Sequence, residues 1–309
     1  ASLGAPGILL TLAGNGWLRG VHDAARPLRY VLGANLLSAV LCPVLVYPAG
    51  LGLVGSAVAN VAAQLVSAVL FLRALHAERV SWRPDPPVLR AQLRVGGDLV
   101  LRTVAFQACF LSAAAVAARF GSAPLAAHQI ALQLWFFVSL LLDSIAIAAQ
   151  SLIGAELGAG RVVSARRTAR RIVLIGGGLG VGFAVLVGSL AGPLPRVFTT
   201  DHAVLDQVAL TWPWFAGMMP LAGVVFALDG VLMGAGDVRY LRNLTLVAAL
   251  GAFLPAIWTA YTLELGLTGV WAGLTLFVVV RLAALLGRQL SGRWAVPGAD
   301  ARATLPAAV

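Results

Sequence analysis

Long apolar runs separated by short polar segments dominate the pattern along this 309-residue chain. Several runs exceed the roughly 20 residues that cross about 30 Å of hydrocarbon as a helix. A membrane barrel would instead show short segments of alternating polar and apolar residues. We therefore expect an all-α polytopic membrane protein. The pattern predicts nine spans, near residues 1–18, 28–48, 51–73, 95–118, 124–153, 172–192, 207–233, 242–262 and 266–287.

A motif at the end of the first span recurs at the end of the seventh. The run Gly16–Asp23 reads Gly-Trp-Leu-Arg-Gly-Val-His-Asp, and Gly230–Asp237 reads Gly-Val-Leu-Met-Gly-Ala-Gly-Asp, 214 positions later (230 minus 16). The same offset places Leu51–Gly55 on Leu265–Gly269. A constant offset over this distance indicates an internal duplication. Because six predicted spans separate the copies, the repeat unit is six helices and both halves have the same orientation.

The duplication predicts a protein of twelve helices in two lobes of six, of which this chain would lack the first three. Residues 1–75 are then the last three helices of the first lobe, and residues 76–94 are a cytoplasmic linker. The second lobe occupies residues 95–290, and residues 291–309 form a cytoplasmic tail.

Charge supports this topology. The net charge is +10, all 22 basic residues are arginine, and most of them lie in alternate loops. Basic loops stay in the cytoplasm, so the alternation orients each span, places the C-terminus inside the cell and indicates the cytoplasmic membrane. The arginines form no patch beyond what this topology requires, which argues against a nucleic-acid partner.

Several motifs together resemble the multidrug and toxic compound extrusion (MATE) transporters, in particular their DNA-damage-inducible F branch. These motifs are Leu18–Gly20 with Asp23 and Pro27, Leu125–Ile130, Gln133–Trp135, Asp143, Ala148–Gln150, Gly154–Gly160 and Leu228–Asp237. The resemblance covers essentially the whole chain and implies two six-helix lobes around a central cavity. It further implies alternating access and the export of organic cations, coupled to inward flow of protons or sodium. In that family a proton-linked aspartate often lies on the first helix, which would precede this chain.

Two carboxylates lie inside predicted spans, where an isolated charge is costly and usually faces a cavity or a partner. Asp143 is near the middle of an apolar span and is the first candidate for cation coupling; the alternative is a hydrogen bond between helices. Asp229 is the second candidate. Its repeat partner is the neutral Asn15, which favours a structural role near the helix end. Asp98 and Arg102, four residues apart, are predicted to pair with each other.

Polar and aromatic side chains suggest a substrate cavity. Gln129 and Gln133 share a helical face, and Trp135 could offer cation-π surface to a positively charged guest. The alternative is that the glutamines form hydrogen bonds between helices and the tryptophan packs in the core. Gln107 and Gln150 are weaker cavity candidates, and His128 is predicted near a hydrated outer helix end.

The expected function is therefore an antiporter for small organic cations, working as a monomer in the bilayer, with an ion gradient and no cofactor. Phosphate-loop, zinc-protease and nucleophile-elbow motifs are absent from the sequence, which argues against an enzyme. The alternative is a flippase for lipid-linked saccharides from the same superfamily. Its anionic cargo would require arginines inside the cavity, whereas the sequence places nearly all of them in loops.

Overall fold

The computed structural model describes residues 4–20, 23, 25–78 and 85–298, and these residues form helices and connecting turns without strands. The helices are α1 (Ala5–Gly20), α2 (Ala25–Val46), α3 (Gly52–Ala77), α4 (Pro86–Arg119), α5 (Ser122–Gly158), α6 (Val162–Ser189), α7 (Pro193–Phe198), α8 (His202–Gly234), α9 (Val238–Ala248), α10 (Leu254–Thr262) and α11 (Gly266–Ser291).

Among the described residues, eight helical segments are long and apolar enough to cross a membrane, with α9 and α10 counted as one segment. This confirms the predicted all-α polytopic fold. The one predicted span that is not among these eight, residues 1–18, corresponds to α1. Its 16 described residues are fewer than the roughly 20 that a full crossing needs.

The chain divides into two compact units, Ala1–Pro84 and Asp85–Val309. In the first unit, α3 packs against both α1 and α2. Its small core contains Leu18 and Phe71, and the ring of Tyr30 lies edge-on to Phe71 with the centroids 5.3 Å apart. In the second unit, α8 is the central helix, packed by α5, α6 and α11.

The duplication is visible in the backbone of both units. Helices α3 and α11 each contain 26 residues, and the offset of 214 relates both their first and their last residues. After α1, the amide of Asp23 donates to the carbonyl of Leu18 at 3.0 Å; after α8, the amide of Asp237 donates to the carbonyl of Leu232 at 2.9 Å. The repeated motif thus forms the same turn at the C-terminal end of both helices.

Several predicted boundaries differ from the structure. Helix α4 begins at Pro86, inside the segment 76–94 that we assigned to the linker, because proline is preorganised for the first helical turn. Helix α6 begins at Val162, before the predicted span 172–192. Its first turns therefore contain the arginines that we expected in the preceding loop, namely Arg166, Arg167, Arg170 and Arg171. Residues 79–84 of the linker lie outside the described residues.

The predicted tail 291–309 is not entirely a free segment. Trp294 is 2% exposed and packs into the hydrophobic core of the second unit. Its indole nitrogen donates to the carbonyl of Gln289 at 3.2 Å. Residues 299–309 lie outside the described part of the chain.

The predicted span 242–262 is one membrane segment with an irregular middle. A π-helical turn, Ala249–Phe253, separates α9 from α10. Pro255 follows this turn, and because proline has no backbone N–H, it removes one hydrogen bond from the regular ladder. A single wide turn accommodates such an interruption without ending the segment.

Small residues bring α5 and α8 together. A Cβ atom added at Gly230 would meet the backbone of Ala146, and one added at Gly234 would meet the backbone of Gln150. Both glycines and both of their partners are four residues apart, which is the spacing of closely packed membrane helices. The close approach fixes α5 against α8 at the depth where Ala146 and the neighbouring Asp229 line a cavity.

We expect the substitution Gly230→Ala to destabilise the protein by about 1–3 kcal/mol, because the added methyl group would have to push two helix backbones apart. Gly217→Ala is the matched control on the same helix, since a Cβ atom there meets nothing within 4 Å. The control should be neutral or slightly stabilising, because alanine favours a helix over glycine. Thermal unfolding in detergent measures both, and equal midpoints would contradict the prediction.

Candidate functional site

Four helices of the second unit, α4, α5, α8 and α11, surround a cavity of about 280 Å³. On α5 its wall includes Leu132, Trp135, Ser139, Asp143 and Ala146. These positions recur at intervals of three or four residues, so they form one stripe along the helix. The cavity is therefore built from single faces of membrane helices.

The cavity wall is mostly apolar and rich in aromatic rings. Each helix contributes at least one ring, as Phe106, Trp135, Phe226 and Trp271 illustrate. Such faces bind apolar groups and attract cations. The cavity therefore suits the flat body of an organic solute.

The charged part of the wall centres on Asp229 of α8, which is 7% exposed. Arg102 of α4 donates from Nη2 to Asp229 Oδ2 at 2.7 Å. Arg281 of α11 donates from Nη2 to both carboxylate oxygens, at 3.0 Å to Oδ1 and 2.7 Å to Oδ2. One carboxylate thus joins three helices.

Both guanidinium groups also lie against an aromatic ring of α4. The guanidinium carbon of Arg281 is 4.7 Å from the centroid of Phe106, and that of Arg102 is 5.4 Å from it. The ring is attractive to each cation and separates part of their charge from the apolar surroundings. Even so, two positive groups and one negative group leave an excess of one formal positive charge in the cluster.

Asp143 lies in the same cavity but in a different environment. Its side chain is exposed, and among the described residues it forms no ion pair or hydrogen bond. Of the two carboxylates in the cavity wall, Asp229 is therefore held by arginines, whereas Asp143 is free to bind a proton or a positively charged guest.

The structure brings three of the seven predicted site residues to the cavity: Asp143, Asp229 and Trp135. Gln107 follows the lining residue Phe106, and a step of one residue turns a helical side chain by about 100°. Gln133 follows the lining residue Leu132 in the same way, so neither of these two glutamines lies in the cavity wall.

Gln129 and Gln150 lie on α5 about one turn beyond either end of the stripe that lines the cavity. All four predicted glutamines are exposed in the structure, and none of them is part of the cavity wall. The sequence identified the polar residues of these helices, but it did not give the rotation that turns Gln107 and Gln133 from the cavity or the depth of the cavity, which excludes Gln129 and Gln150.

The prediction of a hydrated His128 is wrong. Its side chain is fully buried, and neither ring nitrogen has a hydrogen-bond partner among the described residues. The imidazole lies edge-on to Trp271, with ring centroids 5.9 Å apart. Packing of α5 inside the second unit, with Trp271 of α11 against the imidazole, excludes solvent from a helix end that the sequence places near the outer membrane surface.

The predicted pairing of Asp98 with Arg102 is also wrong. Asp98 instead pairs with Arg242 of α9, and Arg102 points to Asp229. Bonds to other helices thus replace the local pair. A carboxylate that links two packed helices gains a partner in a site with little water, where the attraction is stronger than on a helix surface.

Arg102 and Arg281 are the site residues that sequence reasoning missed. It paired Arg102 with Asp98 and placed nearly all other arginines in loops, yet Arg281 is 4% exposed and lies in the apolar helix α11. Its position within an apolar run of the sequence was the available signal, because intramembrane charges usually mark a partner or a pathway.

We expect Asp229→Asn to lower the free energy of unfolding by about 3–5 kcal/mol, because it leaves two largely buried guanidinium groups without their carboxylate. Asp143→Asn is the control in the same cavity. It breaks no ion pair and should stay within about 0.5 kcal/mol of the unsubstituted protein. Denaturant or thermal unfolding in detergent distinguishes the two, and equal losses would contradict the assigned pairing.

The family profile and the relatives that match this chain indicate the same protein family. The MatE family profile matches residues 99–259, just over half of the chain. Protein DETOXIFICATION 44, chloroplastic, of Arabidopsis thaliana is 37% identical over 284 residues, covering 91% of this chain and 54% of that protein. DNA damage-inducible protein F of Escherichia coli is 30% identical over 311 residues, covering 94% of this chain and 66% of that protein. The chain thus spans about half to two thirds of the length of these relatives.

The fold agrees with solved structures. A crystal structure of a MATE protein in the bent conformation aligns with a TM-score of 0.84 and 21% identity, over 98% of this chain and 68% of that one. Together with the family profile, this confirms the resemblance that the motifs suggested. The chain belongs to the multidrug and toxic compound extrusion family of membrane transporters.

Proposed function

We propose that this chain carries the cargo cavity of a secondary active transporter that exports organic cations in exchange for protons. Family membership supports transport, and alternating access is the mechanism that we propose for it. One observation supports the coupling: Asp143 lines the cavity, and its carboxylate forms no ion pair with any described residue.

Competition at Asp143 would provide the exchange. One carboxylate can neutralise one positive charge, which is either a proton or the cationic group of the cargo. Binding of the cargo therefore favours release of the proton, and protonation favours release of the cargo. When the cavity opens alternately to each side, this competition drives the two species in opposite directions. The aromatic wall strengthens cation binding.

The energy source in this proposal is an ion gradient, and no cofactor takes part. Sodium could replace the proton at the same carboxylate. The protein would work as a monomer in the cell membrane, with its arginine-rich loops and its C-terminus in the cytoplasm.

A flippase for lipid-linked saccharides is the second candidate. We argued against it because nearly all arginines fall in predicted loops, but Arg102 and Arg281 line the cavity. The argument that favoured purely cationic cargo over anionic cargo is therefore lost. Proton exchange separates the candidates, because competition at Asp143 requires it and a flippase site built on arginines alone does not.

We expect ethidium added to the purified, weakly buffered full-length protein to release protons, measured with a pH-sensitive dye. Asp143→Asn should abolish this release, because the amide side chain of asparagine does not take up or release a proton near neutral pH. Asp206→Asn is the control, since Asp206 is an exposed carboxylate of α8 outside the cavity wall. Proton release that persists in Asp143→Asn, or that never occurs, would overturn the proposed coupling.

A further inference from the structure

We propose that one face of α6, close to the start of this helix, binds the headgroup of an anionic phospholipid. Four exposed arginines form this basic face: Arg166, Arg167, Arg170 and Arg171. The sequence indicated no arginine patch beyond what the topology requires, but the helix brings these four side chains together. None of them lines the cavity, and the inference does not depend on the proposed antiport.

The basic face points away from the rest of the second unit. Each residue of an α-helix is turned by about 100° from the one before it, which places the four arginines within an arc of about 140°. The buried residues of the same turns, Ala165 and Ala169, lie on the other side of the helix. Helix α6 packs against α5 and α8. The arginines therefore face the surroundings of the protein.

The depth of the basic face matches the headgroup layer of a membrane. From Ile172 to the end of α6 at Ser189 there is no charged residue, and these 18 residues (189 minus 171) extend about 27 Å. This length is close to the roughly 30 Å of the hydrocarbon core, and the polar layers add roughly 5–8 Å on each side. The four arginines span about 7.5 Å of helix axis directly outside the apolar stretch. They are therefore level with the phospholipid headgroups.

Toward the membrane core, the same side of α6 is apolar and exposed. Leu174 is 76% exposed, and Val181 and Val185 are exposed as well. At about 100° per residue, all three fall within the arc of the arginines. Lipid tails are as apolar as these side chains, so they can cover this side of the helix. A phospholipid placed there has its acyl chains on the apolar residues and its phosphate at the arginines, which a soluble anion would not combine.

The charge of the basic face is not neutralised within the described part of the chain. None of the four arginines forms an ion pair there. Arg166 donates from Nη2 to the carbonyl of Gly292 at 3.4 Å, which leaves its charge uncompensated. Glu156, the acidic residue nearest to them along the chain, accepts hydrogen bonds from Ser164 and Thr168 instead. Four positive charges therefore remain for a partner outside the protein.

The positive-inside rule alone does not explain this arrangement. It concerns the number of basic residues on one side of the membrane, and neither a shared helix face nor the lack of a partner follows from it. Clusters of four or more basic residues beside a membrane helix attract anionic lipids. Arginines four residues apart are neighbours on a helix, so the pairs 166/170 and 167/171 can each hold a phosphate from two sides.

Phosphatidylglycerol and phosphatidylcholine with the same acyl chains provide a matched test. Both lipids have a phosphate, but only phosphatidylglycerol has a net negative charge. We expect the purified full-length protein in nonionic detergent to bind phosphatidylglycerol about tenfold more tightly, because four unpaired arginines attract its headgroup. A lipid titration followed by native mass spectrometry, which counts the bound lipids, measures both affinities.

The double substitution Arg167→Gln and Arg171→Gln should weaken phosphatidylglycerol binding about tenfold and leave phosphatidylcholine binding within about twofold. The control is Arg119→Gln with Arg196→Gln, which removes the same charge from two exposed arginines, at the end of α4 and in α7. Both lie at the opposite ends of the membrane helices, so the control should keep the affinity for phosphatidylglycerol within about twofold. Thermal unfolding verifies that each variant is folded.

Equal affinity for the two lipids would overturn the inference. Equal weakening by the two double variants would also overturn it, because net charge alone would then explain the binding. Glycerol 3-phosphate and an oligoglutamate peptide test for soluble anions, and we expect neither to displace phosphatidylglycerol at equal concentration. Displacement by either one would show that the basic face binds soluble anions and would reject the lipid.

Discussion

One buried carboxylate, Asp229, holds the charged part of this structure together. It forms ion pairs with Arg102 from one neighbouring helix and Arg281 from another, in an environment where unpaired charges are costly. The phenyl ring of Phe106 lies against both guanidinium groups. Without Asp229, two cations would face each other inside a cavity of about 280 Å³. The pairing of both arginines beside that cavity therefore depends on a single side chain.

The two acidic residues of the cavity have different electrostatic environments. Asp229 is paired with two arginines. Asp143 has no such partner among the described residues, although it lines the same cavity. Two carboxylates that look alike in the sequence thus differ because their neighbours in space differ.

The internal duplication preserves backbone features but not the buried side chains. The turns that follow α1 and α8, the bounds of α3 and α11 and the offset of 214 are kept in both units, and the two turns have the same backbone hydrogen bond. The buried side chains are not kept: Asn15 and Ser67 occupy the places of Asp229 and Arg281. Backbone geometry is thus shared by the two repeats, while a buried ion pair occupies these two positions in the second.

Residue patterns along the chain were sufficient to predict the helical class, the approximate spans, the repeat and the family, because these depend on hydrophobic length and on local motifs. It also identified Asp143, Asp229 and Trp135 as residues of interest. The packed helices were needed to find that Arg102 and Arg281 meet at Asp229, that Asp98 pairs with Arg242, and that His128 is buried. Those outcomes depend on how each helix is rotated about its axis and on which helix packs beside it, and residue spacing along one chain does not encode either.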